Sequence, residues 1–84
     1  MGVTLITAPD CQKCNYVKSH VDCSRIEVLD RSSTKATVLM AYHEILDKDL
    51  HLPVLIYDDL DGETQIIAGK SVEIVKKIKE IIYA

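Results

Sequence analysis

The run Val54-Leu55-Ile56-Tyr57 places four apolar residues in succession directly after Pro53. In a strand, successive side chains point to opposite faces. A strand apolar at every position therefore needs cover on both faces. A chain of 84 residues has room for one modest core, because a domain of this size buries only about 60% of the surface its unfolded chain exposes. Trp and Phe are absent, so that core is aliphatic, with four Tyr as its aromatic mass. These features predict a single domain over residues 1–84, built on one sheet with helices on both sides.

The remaining segments alternate in type. Val3 to Ala8 is apolar and β-branched and reads as a first strand, ended by Pro9-Asp10. Cys11 to about Val21 reads as a helix with a thin stripe of Cys14, Val17 and Val21. Arg25 to Leu29 reads as a second strand. Ser32-Ser33-Thr34 offers N-cap oxygens to a helix over residues 34–46, with Val38, Leu39, Tyr42, Ile45 and Leu46 as its expected buried stripe. A polar loop runs from Asp47 to Leu52. Asp61-Gly62 is a hairpin turn signal between the Val54 strand and a partner over Thr64 to Ala68. Gly69-Lys70-Ser71 is expected to break that strand and cap a last helix. Val72, Val75, Ile78, Ile81 and Ile82 would face the core there, with Lys76, Lys77 and Lys79 opposite. The order is β-α-β-α-β-β-α, a mixed four-stranded α/β sheet with a parallel first βαβ unit and an antiparallel closing hairpin. In such sheets the functional crevice lies at a strand's carboxyl end, here at Pro9-Asp10-Cys11.

Composition excludes several classes. Thirteen acidic against ten basic side chains, a net charge of −3, leave no basic footprint for nucleic acid. No apolar run approaches the length that spans a membrane, and no secretory signal is visible, so the expected location is cytoplasmic. Three cysteines are not the even set of a secreted disulfide framework. In a reducing compartment close-spaced cysteines point to catalysis or to metal.

Cys11-Gln12-Lys13-Cys14 stands between a strand and a helix. A helix N-terminus carries unpaired N–H groups and partial positive charge, which stabilise a thiolate. Cys11 is expected to be exposed and to attack. Cys14, one turn into the helix and more sheltered, is expected to resolve the mixed disulfide. Lys13 adds positive field and Asp10 opposes it.

The segment Thr7-Ala8-Pro9-Asp10-Cys11-Gln12-Lys13-Cys14 resembles the active-site segment of glutaredoxins and small archaeal-type thioredoxins. Leu52-Pro53 resembles their cis-proline loop, and Gly69 their glycine before the last helix. The resemblance implies a thioredoxin-like fold and thiol–disulfide oxidoreductase activity, with Cys11 and Cys14 as the catalytic pair. It implies a cis Leu52–Pro53 bond facing Cys11, and a substrate groove of Lys13, Leu52, Pro53 and Gly69. A monomer without metal or other cofactor would reduce a protein or small-molecule disulfide and be re-reduced by a reductase or a low-molecular-weight thiol. The chain departs from the pattern at Asp10, where thioredoxins usually carry Trp, and at Gln12-Lys13, where glutaredoxins favour Pro-Tyr. It departs again at His51-Leu52, before the proline, and at Gly69-Lys70-Ser71.

Two other functions use the same residues: a metal or iron–sulfur module on the Cys pair, and an interaction module with idle cysteines. A zinc set of Cys11, Cys14, His20 and Cys23 is disfavoured by a helix over residues 11–21, which would turn His20 away from Cys14. A copper-chaperone order lacks the helix expected over residues 34–46. Cys23 reads as a partly buried cysteine. His43 and His51 read as isolated histidines, with a place near the Cys11 crevice as the alternative for His51. Tyr16 is a packing residue or a flank of the groove. Asp58, Asp59 and Asp61 read as a charged hairpin turn.

Overall fold

A computed structural model describes residues 2–43 and 51–83. Four strands and three helices follow in the order β1 (Val3–Thr7), α1 (Gln12–His20), β2 (Glu27–Asp30), α2 (Thr34–Tyr42), β3 (Val54–Asp58), β4 (Thr64–Ala68) and α3 (Ser71–Ile82). A single 3₁₀ turn, Cys23–Arg25, precedes β2. The sheet order is β2-β1-β3-β4. β1 pairs parallel with β2, and β3 pairs antiparallel with both β1 and β4. The chain is thus an α/β protein with a mixed four-stranded sheet.

β3 explains the architecture. Its first four residues are all buried. Leu55 and Tyr57 join Leu5 of β1, Val17 of α1, and Ile74, Val75 and Ile78 of α3 in one cluster. Val54 and Ile56 join Ile6 of β1 and Ala36 and Met40 of α2 in the other. Neighbouring positions of one strand therefore feed opposite cores, with α1 and α3 on one face and α2 on the other.

Three expectations need correction. β2 begins at Glu27, not Arg25, because the Asp22 carboxylate accepts the Ser24 N–H at 3.1 Å and winds residues 23–25 into the 3₁₀ turn. α2 buries Ala36 and Met40, with Leu39 half-buried, while Val38 and Tyr42 are 61% and 79% exposed. Six of its nine residues are apolar, so spacing alone left its rotation undetermined. Ile45 and Leu46, also expected on that stripe, lie outside the described residues, as does most of the expected 47–52 loop. In α3, Ile74 rather than Val72 begins the buried stripe, and Val72 is 56% exposed. Ser71 is its first helical residue, and Lys70 holds the cap position without a side-chain hydrogen bond. Lys76 and Lys79 are exposed as expected. Lys77 instead reaches to 5.7 Å from the Tyr57 ring centre and pairs with Glu80 at 3.0 Å.

The hairpin turn is as read. Gly62 holds a positive φ of 81°. The Asp59 carboxylate accepts the N–H groups of Asp61 and Glu63, each at 2.9 Å, and Gln65 Nε2 at 3.0 Å. These bonds, the Glu63 N–H first, hold its pKa below the ordinary carboxylate value. None of the helices in the described residues is long and apolar enough to cross a membrane.

Candidate functional site

The sheet register decides what meets Cys11. Ile6 pairs with Val54, and Val54 pairs with Ala68. One step further along all three strands, the carboxyl end of β1 comes level with the residues before β3 and those after β4. The Gly69 N–H donates to the Pro53 carbonyl at 2.9 Å and closes that end of the β3–β4 ladder. Residues 8–14, 51–53 and 69, far apart in sequence, thus converge at one end of the sheet.

β1 ends at Thr7, and Cys11 stands at the N-cap of α1 with extended backbone. Its Sγ accepts the Cys14 N–H at 3.1 Å. The cap that Ser, Asp or Asn usually provides is here made by sulfur. α1 has no acid in its first turn, and Lys18 and His20 in its last turn suit the helix dipole. Cys11 and Cys14 lie at disulfide-bonding distance, with a Cα–Cα separation of 5.1 Å. Cys14 is fully buried and Cys11 is partly exposed. Of the two sulfurs, Cys11 is therefore the one a partner in solution can reach.

An open cleft at this end is lined by Ala8, Pro9, Asp10, Cys11, Lys13, His51 and Leu52. Lys13 Nζ donates to the Gly69 carbonyl at 3.2 Å, tying α1 to the turn before α3. The Leu52–Pro53 bond is cis. Pro53 is fully buried, and Leu52 is half-buried against the α2-side core. Gly69 has a positive φ of 72°, and a Cβ built there would lie 2.5 Å from His51 Cβ. Of the six residues expected at the pair and its groove, Cys11, Lys13 and Leu52 line the cleft, Cys14 and Pro53 are fully buried, and Gly69 lies against Lys13 and His51.

His51 is the residue that sequence reasoning undervalued. It is exposed, yet it lines the cleft with Cys11 and packs on Gly69. Its only sequence signal was its place just before Leu52-Pro53. Tyr16 does not line the cleft; its ring stacks on His20 at 4.1 Å along α1. Cys23 is half-buried, with its thiol against the Lys18 carbonyl at 3.5 Å. Among the described residues, no three His, Cys, Asp or Glu side chains converge as a metal-ion cluster would require.

Comparisons with protein-family models, with curated proteins and with solved structures each found no match.

Proposed function

We propose that this chain is a dithiol–disulfide oxidoreductase of thioredoxin-like fold, in which Cys11 attacks and Cys14 resolves. The observation that carries the reading is the asymmetry of the pair: a reachable Cys11 at a helix N-cap and a fully buried Cys14 one turn on, already at bonding distance. The sheet order, the α1/α3 and α2 faces, and the convergence of the Leu52-Pro53 loop on the cysteines also support it.

When the pair is reduced, the Cys14 N–H and the positive end of the helix dipole are placed to favour a thiolate at Cys11. The thiolate attacks a substrate disulfide and expels one thiol. The Cys14 thiol then attacks Cys11 Sγ and expels the second. The protein loses two electrons as its S–S bond forms, and the substrate gains them as two thiols. A reductase or a low-molecular-weight thiol returns the pair to the dithiol. The cytoplasm is the compartment whose redox poise suits this cycle.

The test is trapping. Cys14→Ser should accumulate a stable mixed disulfide on Cys11 when mixed with a small disulfide, detected as a mass increase of the intact protein. Cys11→Ser should accumulate none on Cys14. Trapping on Cys14 alone, or on neither, contradicts the proposal.

A further inference from the structure

Disulfide reduction has a demand that the cysteine pair does not meet by itself. When the Cys11 thiolate breaks the substrate S–S bond, one sulfur departs as a thiolate. An alkyl thiolate is strongly basic at neutral pH and leaves faster if a proton reaches it. Among the described residues, the charged and titratable groups lining the cleft are Asp10 from the β1–α1 turn, Cys11 at the cap, Lys13 from α1, and His51 before β3. Lys13 is tied to the Gly69 carbonyl. The turn before α3 presents Gly69 against His51, with no side chain. A carboxylate such as that of Asp10 accepts hydrogen bonds rather than donating them. An imidazole can donate from one ring nitrogen and accept at the other, and is the side chain most often used for proton transfer. His51 is also seated: Gly69 lacks a Cβ where one would lie 2.5 Å from His51 Cβ, so this glycine makes room for the histidine's backbone and stem.

We infer that His51 is the general acid of the reaction, the group that protonates the substrate's first leaving thiolate. The inference rests on the proposed dithiol chemistry. His51 and Cys11 line the one cleft, so a protonated His51 and the Cys11 thiolate would share it. Attack by Cys11 forms the Cys11–substrate S–S bond and breaks the substrate's own. The electron pair of the broken bond goes to the departing sulfur, and the imidazolium proton goes with it. Neutral His51 remains. Cys14 then forms its bond to Cys11, and its thiol proton leaves on the second substrate sulfur. The balance is one dithiol and one disulfide in, one disulfide and two thiols out.

The discriminating experiment varies the leaving group. Single-turnover rates of the reduced protein are measured with hydroxyethyl disulfide, whose leaving thiolate is strongly basic, and with dithiobis-nitrobenzoate, whose aryl thiolate needs no proton. His51→Gln keeps the Cβ that packs on Gly69 and removes the acid. Because both probes meet the same Cys11, the ratio of the two rates cancels any change in its thiolate population. The expected result is a hydroxyethyl disulfide rate that falls about a hundredfold relative to the aryl rate, the lower end of general-acid contributions. The fall of the wild-type alkyl rate on the alkaline side, where a general acid loses its proton, should be absent from His51→Gln. A ratio that changes less than about tenfold overturns the role of His51 while leaving the dithiol chemistry standing. A wild-type protein whose Cys11 reacts with neither probe overturns the dithiol reading itself, and this inference with it.

Discussion

Position 69 shows how one absent side chain shapes the site. The residue sits at φ +72°, a region where an L side chain is strained, and the space a Cβ would need is taken by His51. Gly62 supplies a contrast: its φ is +81°, but nothing lies within 4 Å of a built Cβ. Gly62→Ala should therefore cost only the conformational term, about 1–2 kcal/mol. Gly69→Ala should cost more than that, at least about 3 kcal/mol, because backbone strain and displacement of His51 add. Urea unfolding of the reduced variants measures both. The closeness of Cys11 and Cys14 was legible at this scale, because it follows from local spacing and from the helix start the pair marks. Lys13 and Gly69 were expected near one another from the resemblance, but the packing of His51 on Gly69 was not legible, since those two meet only through the sheet register.

Among the elements, turns are fixed by short side chains that bond their own backbone. Ser33 Oγ accepts the Ala36 N–H at 3.2 Å and donates to the Asp30 carbonyl at 2.7 Å, so one hydroxyl joins β2 to the start of α2. Ser33→Ala should destabilise the fold by about 1 kcal/mol, read by urea unfolding. Beside it, the Asp30 carboxylate accepts the hydroxyl and N–H of Ser32, which hold its pKa below the ordinary value. Asp22 is held down in the same way by the hydroxyl and N–H of Ser24, and Asp59 by the N–H of Glu63 and its other hairpin partners. Each of these carboxylates binds its proton more weakly folded than unfolded. Their stabilisation is full above about pH 4 and is lost as pH falls through the lowered native values. Unfolding midpoints measured from pH 6 down to pH 2 should drop through that window, and Asp30→Asn should flatten part of the drop. The hairpin was readable because Asp-Gly is a local signal. The 3₁₀ turn before β2 was missed because Asp22 competes for the backbone of a segment whose alternation otherwise reads as strand. The face of α2 was missed because apolar residues surround that helix and give its rotation no phase.

Across the whole molecule, a sheet buried on both faces makes β3 the common wall of two cores. Leu55→Ala and Ile78→Ala both open the α1/α3 side and should each cost about 2–5 kcal/mol. Val38→Ala, on the exposed face of α2, should stay within about 0.5 kcal/mol. The two-sided run at 54–57 made this architecture legible from the sequence, and the order of elements followed from turn and cap signals. The same architecture sets the cysteine pair at the end of β1, where two separate chain segments, 8–13 and 51–52, line the cleft.

The central claim is that Cys11 and Cys14 cycle between dithiol and disulfide while Cys23 stands aside. The most direct measurement equilibrates the protein in a series of dithiothreitol redox buffers, traps free thiols by alkylation and maps each cysteine by mass spectrometry. Cys11 and Cys14 should oxidise together as one two-electron couple, at a potential of roughly −200 to −270 mV, with Cys23 alkylated throughout. Failure of the 11–14 disulfide to form, or its replacement by a pairing with Cys23, would contradict the account.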